Sequence, residues 1–111
     1  MDRLHRLTSS KDWKEVRTRG RCSRSSFATI CVLFEGESEK FGFAAAKSIG
    51  SVAKRNRAKR RLREAFRQTY KFGSKPCLVI AIAGPECLTM DFQELKSKLA
   101  QQLSDLGLPI S

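Results

Sequence analysis

Between residues 54 and 67, KRNRAKRRLREAFR, apolar side chains recur at Ala58, Leu62, Ala65 and Phe66. That is the i, i+4, i+7, i+8 spacing of one helical face at about 100° per residue. Ser51 offers a cap, Gly73 and Pro76 a stop, so the pattern predicts a helix over 51–70. Elsewhere the period shortens. FATICVLF, 27–34, is β-branched and aromatic with apolar residues on both faces, a strand. FGFAAAK, 41–47, reads as its partner in a hairpin closed by the acidic turn EGESEK, with Gly42 marking a bulge or close backbone approach. CLVIAIA, 77–83, is a short buried strand ended by Gly84-Pro85.

Two more helices complete the pattern. Ser9 or Ser10 caps a short one in which Trp13 and Val16 share a face and Gly20 is the stop. Thr89 caps the last, whose stripe is Phe92, Leu95, Leu99, Leu103 and Leu106, with Gly107 and Pro109 closing it. The order is α-β-β-α-β-α, with room for an extra short strand in the connector 21–26. It predicts an α+β fold: an α-β sandwich with helices packed on a small sheet, one domain over 1–111.

Charge changes the picture of the central helix. Lys and Arg number 22 against 11 Asp and Glu, a net charge of +11. Arg55, Lys59 and Arg63 line up beside the apolar stripe; Asn56, Arg60 and Arg67 fill the next arc, with no acid between them. Glu64 lies beyond, within helical reach of Arg57, Arg60 or Arg61. A solvated charged face is the plain alternative, but such faces usually mix signs, and crowded cations repel unless an anion is present. A polyphosphate partner fits better. A helix lying on a membrane surface needs bulky apolar residues, whereas Ala58 and Ala65 suit close packing on a sheet. No apolar run approaches the ~18 residues of a membrane span, and the polar start MDRLHR leads into no apolar signal segment, so the expected location is the cytoplasm.

Candidate chemistry is sparse. Cys22, Cys31, Cys77 and Cys87 include no C-x-x-C pair, and buried free thiols are expected. His5 sits in a polar leader without a fixed partner. Glu35, Glu37 and Glu39 share a loop tip, best read as a solvated turn facing away from any RNA. No D-x-D, H-x-x-x-H or Gly-rich phosphate loop occurs, so no catalytic residue and no metal site is expected.

At RNRAKRRLREAFR the chain is similar to the protein subunit of bacterial ribonuclease P. The motif is carried by Arg55-Asn56-Arg57, Lys59-Arg60 and Arg63. Supporting features are Trp13 and Val16 followed by Gly20, the run FGFAAAKSIGSVAKRNR into the helix, and the Leu-rich last helix. The resemblance spans about residues 6–106. It implies a left-handed β-α-β crossover, against the general right-handed rule. It also implies a partner RNA subunit that cleaves precursor tRNA with Mg2+ held mainly by that RNA, one protein per RNA, and no active site on the protein. Under it, Arg55, Asn56, Arg57, Lys59, Arg60, Arg63 and Arg67 contact the RNA subunit. Trp13, Val16, Arg17, Phe27, Ile30 and Lys47 line a cleft for the 5′ leader. Four positions depart from the family pattern: Arg17 replaces an aromatic, Ile30 a tyrosine, Ser48 a lysine and Ile82 an arginine. Such a cleft relies less on base stacking and more on backbone charge. The competing reading is a structural ribosomal RNA-binding protein; composition alone does not separate the two, and motif order does.

Overall fold

The most continuous apolar run in the chain, Cys77–Ala83, becomes strand β4 and occupies an interior position of a four-stranded sheet. A computed structural model describes residues 6, 7 and 9–111; His5 and Asp2 lie outside them. In chain order the elements are α1 (Ser10–Arg19), β1 (Arg21–Arg24), β2 (Ala28–Leu33), β3 (Glu39–Ala45), a 3-10 turn (Lys47–Ile49), α2 (Val52–Thr69), β4, a short α3 (Glu86–Thr89) and α4 (Phe92–Asp105). Ser9 caps α1 by accepting the Asp12 N–H, and Ser51 caps α2 by accepting that of Lys54. The cap of α4 is Asp91, which accepts the N–H groups of Gln93 and Glu94, and not Thr89, which ends α3. A carboxylate also complements the positive helix end, an advantage threonine lacks.

The strand order is β1-β2-β4-β3, so the hairpin expected between β2 and β3 does not form. β4 enters between them, antiparallel to β2 and parallel to β3. A strand apolar on both faces gains most from an interior place, which local turn signals do not reveal. The unit β3-α2-β4 is therefore a crossover between adjacent parallel strands. Phe41 turns its ring toward the α2 layer while its carbonyl accepts the Leu7 N–H on the outer side of β3. For an L-residue in a strand running upward and seen from that layer, this carbonyl points right. β4 then lies on the left, and the crossover is left-handed.

Alternation divides the sheet into two unlike faces. Ile30, Val32, Phe41, Val79 and Ala81 join Leu62 and Phe66 of α2 and Leu95, Leu99 and Leu103 of α4 in the larger core. Cys31, Leu33 and Ile80 face the other way, under Val16 and the half-buried Trp13 of α1. Gly42 of β3 lies directly beneath the indole, where any Cβ would collide with its ring. Gly20 ends α1 for a similar reason, not by adopting a left-handed turn: φ is −80°, and a Cβ would stand 2.5 Å from the Val16 and Val32 carbonyls.

Two expectations about side chains are corrected. Cys22 and Cys31 are not free thiols: they oppose each other across β1 and β2 and form a disulfide. Directly opposed strand positions bring Cβ atoms close enough for a bond that sequence spacing does not suggest. Cys77 and Cys87 are buried and free. Nor is the 35–39 segment merely solvated. Glu35 pairs with Arg19 at 2.5 Å, and Glu39 accepts the Tyr70 hydroxyl at 2.6 Å and the N–H groups of Gly73 and Ser74. Burial, and then this bond to Glu39, hold the Tyr70 hydroxyl far above its ordinary pKa.

Candidate nucleic-acid interface

Helix α2 seats Ala58, Leu62, Ala65 and Phe66 in the core, all fully buried. That anchoring fixes the direction of every other side chain on the helix. Arg55, Lys59 and Arg63 emerge at the margin of the buried stripe, half-buried; Asn56, Arg57 and Arg60 stand exposed. Among the described residues, none of these five cations enters an ion pair. The buried Nε of Arg55 has no hydrogen-bond partner among the described residues.

The remaining arginines on α2 are already engaged. Arg67 bonds Glu64 through both Nε and an Nη, and Gln68 adds a third bond to the same carboxylate. Glu64 thus meets Arg67, not Arg57, Arg60 or Arg61. The Arg67 hydrogen bond, then that of Gln68, hold the Glu64 pKa down at about 2. Arg61 reaches under the helix, donating to the carbonyls of Cys87 (2.9 Å) and Met90. Its guanidinium also lies 5.8 Å from the Phe92 ring centre.

The marginal cations look onto β3, an edge strand. One hollow of about 300 Å³ is lined by Phe43, Ala44, Ala45, Val52, Arg55, Asn56 and Lys59. A second, of about 200 Å³, includes Trp13, Arg6, Gly42, Phe43, Lys59 and Arg63. Lys59 and Phe43 belong to both, so the two form one trough beside β3. Trp13, expected in a cleft apart from the basic helix, thus shares a hollow with Lys59 and Arg63. Its indole N–H donates to the Leu7 carbonyl at 2.6 Å, which fixes the ring and leaves one margin open.

The other cleft candidates separate. Arg17, one turn after Trp13, is exposed, as is Lys47 at the end of β3. Val16 is fully buried under α1 and offers no surface. Phe27 and Ile30 lie in the larger core on the opposite face of the sheet from α1, 4% and 0% exposed. They do not meet Trp13. Ile30 illustrates period-two alternation, because its neighbour Thr29 is the residue turned toward the α1 side. Thr29 belongs to a cross-strand row Arg24–Thr29–Ile82–Ala44, one pair beyond the Cys22–Cys31–Ile80–Gly42 row that meets α1. None of the four is buried. Arg24 and Thr29 are absent from the expected site residues, since only the strand register reveals that row.

The family model described as Ribonuclease P matches residues 1–107, and the chain belongs to that family. The protein component of ribonuclease P from Symbiobacterium thermophilum is 34% identical over 110 residues, covering 97% of this chain and 96% of the relative. The one from Chloroflexus aggregans is 30% identical over 93% of this chain and 78% of its own length. In fold, the Staphylococcus aureus ribonuclease P protein superposes with a TM-score of 0.73 at 17% identity, covering 93% of this chain and 95% of that one. The Thermotoga maritima protein, in complex with a fluorophenyl thiourea, gives 0.68 at 21% identity, covering 91% and 96%. The chain is thus a protein subunit of the ribonuclease P endoribonuclease, an RNA-binding component of tRNA processing whose partner is the RNA subunit. No helix among the described residues is long and apolar enough to cross a membrane.

Proposed function

We propose that the open arc of α2 docks on the ribonuclease P RNA and that the α1 side of the sheet holds the 5′ leader of precursor tRNA. The carrying observation is the row Arg55, Lys59 and Arg63, with Arg57 and Arg60 beside it, which among the described residues has no acidic partner, while Arg61 and Arg67 of the same helix are engaged. Each cation that neutralises a phosphate releases condensed counterions and so favours assembly. Trp13 bridges the two surfaces, because its hollow contains both β3 and the basic margin. Along the leader path, Arg17 and Arg24 supply charge, Thr29 a hydroxyl, and Ile82 an apolar floor. Lys47 extends that charge to the strand end.

In this reading the RNA performs the hydrolysis with Mg2+, and the protein contributes binding and orientation. One protein domain per RNA, acting in the cytoplasm, completes the proposal. Cleavage of precursor tRNA by the cognate RNA, with and without the protein, is the test. At low Mg2+ the protein should restore cleavage, and RNA-free protein should cut nothing. Cleavage by the protein alone would assign it an active site. Failure to stimulate the RNA, with tight binding to ribosomal RNA instead, would favour a structural ribosomal role.

A further inference from the structure

The larger hollow has features that a phosphate site does not need. β3 is an edge strand, and among the described residues its outer side is met only by the Arg6 bridge and the Leu7 N–H, both at Phe41. Phe43 and Ala45 share the orientation of Phe41, so their N–H and C=O groups also point outward, into the hollow, without a strand to receive them. The side walls are apolar. Val52, on the rim, is 63% exposed, more than any other large apolar residue described. The side chains of Lys59 and Arg55 add positive charge to the lining.

An inorganic anion would use the cations and leave the walls and the strand edge idle. An apolar peptide would use the edge and leave the cations idle. An unstacked nucleotide uses all three: amide-like base edges against peptide groups, a flat apolar face against Val52 and the Phe43 margin, and a phosphate against the cations. A volume of about 300 Å³ is at the small end of ligand sites and suits a single such unit.

We propose that this hollow captures one unstacked nucleotide of an RNA, its base along the outer edge of β3 between Phe43 and Val52 and its phosphate on Arg55 and Lys59. The proposal rests on the docking of α2 to RNA and adds a base-reading pocket to it. Trp13 and the α1 side of the sheet are not part of it.

The test uses the full-length protein with its ribonuclease P RNA. Val52→Ser removes an exposed apolar contact and no charge. Affinity should fall about 5-fold with the salt dependence unchanged, as expected for partial loss of a buried valine. Arg60→Ala, outside the hollow, reports on the docking surface itself through a shallower salt dependence. If Arg60→Ala weakens binding and Val52→Ser does not, the nucleotide pocket is refuted and the docking surface stands. If neither matters, both are refuted. A benzophenone side chain placed at position 52 should crosslink in the holoenzyme to a single nucleotide. A crosslink to protein would assign the edge to strand addition, and crosslinks scattered along the RNA would refute a pocket. In the free protein, a nucleoside monophosphate should shift the amide resonances of Phe43 and Ala45. The same shifts from inorganic phosphate alone would reduce the hollow to an anion site.

Discussion

Arg55 and Arg61 are six residues apart on one helix and chemically identical, yet the protein uses them in opposite ways. Arg61 is bound by two backbone carbonyls of the α3 segment, which ties that segment to α2. Arg55 lines a hollow, and among the described residues its buried Nε has no acceptor. Arg67 resembles Arg61 in having a partner, Glu64, though an exposed one. Lys59 and Arg63 resemble Arg55. One basic helix therefore carries a structural arc and an open arc, and counting charges does not tell them apart. The distinction lies in which guanidinium finds an acceptor, from another segment for Arg61 and from the helix's own Glu64 for Arg67, since a satisfied guanidinium has little left to offer a phosphate.

The largest effect expected from breaking this division is at Arg61. Arg61→Ala should cost about 2–3 kcal/mol of stability, because it removes charge-assisted bonds and leaves partly buried carbonyls without donors. Urea unfolding measures the loss, and the salt dependence of RNA binding should stay unchanged. A shallower salt dependence would move Arg61 to the open arc. Next in size comes Lys59. Lys59→Ala should leave folding nearly intact, weaken RNA binding roughly tenfold and reduce the log-log salt slope by about one unit. Arg67→Ala should reduce that slope by clearly less. Equal slopes for the two variants would erase the contrast between paired and open cations.

Much of this division was legible in advance, and the failures have a common cause. The apolar stripe of α2 and the arc of Arg55, Lys59 and Arg63 beside it follow from helical geometry, which is local. The apolar β4 run Cys77–Ala83 is equally local, and the structure reproduces its limits. What sequence could not supply were relations between distant segments. The β2–β3 hairpin failed because β4, more than 30 positions downstream, takes the place between them. Ile30 was expected in the cleft and lies in the core, because the face of a strand changes with each residue while the resemblance locates it only approximately. The Cys22–Cys31 bond depends on register in the same way. Arg61 and Arg67 looked like their neighbours because their acceptors, the carbonyls near α3 and the Glu64 carboxylate, are visible only once side chains have direction.

The smallest and most discriminating effect concerns Glu64, which keeps Arg67 in the structural arc. Its folded pKa, about 2, lies below the ordinary carboxylate value of 4.5. Its pairing therefore stabilises the fold fully above that ordinary value and is lost as pH falls through the folded one. Because the carboxylate is largely solvent-exposed, screening limits this to about 0.5 kcal/mol or less. Between pH 5 and 2, wild type should lose about that much more stability than Glu64→Gln, a difference that thermal unfolding across pH resolves. At neutral pH the same substitution removes a negative charge and frees the Arg67 guanidinium. RNA binding should then tighten by about two- to threefold and the log-log salt slope steepen by up to about one unit. The double variant Glu64→Gln with Arg67→Ala separates the two contributions. If it retains the whole gain, the gain comes from losing the acid alone, and Arg67 remains outside the interface. If the gain disappears, Arg67 is an interface cation held in reserve by its own neighbour.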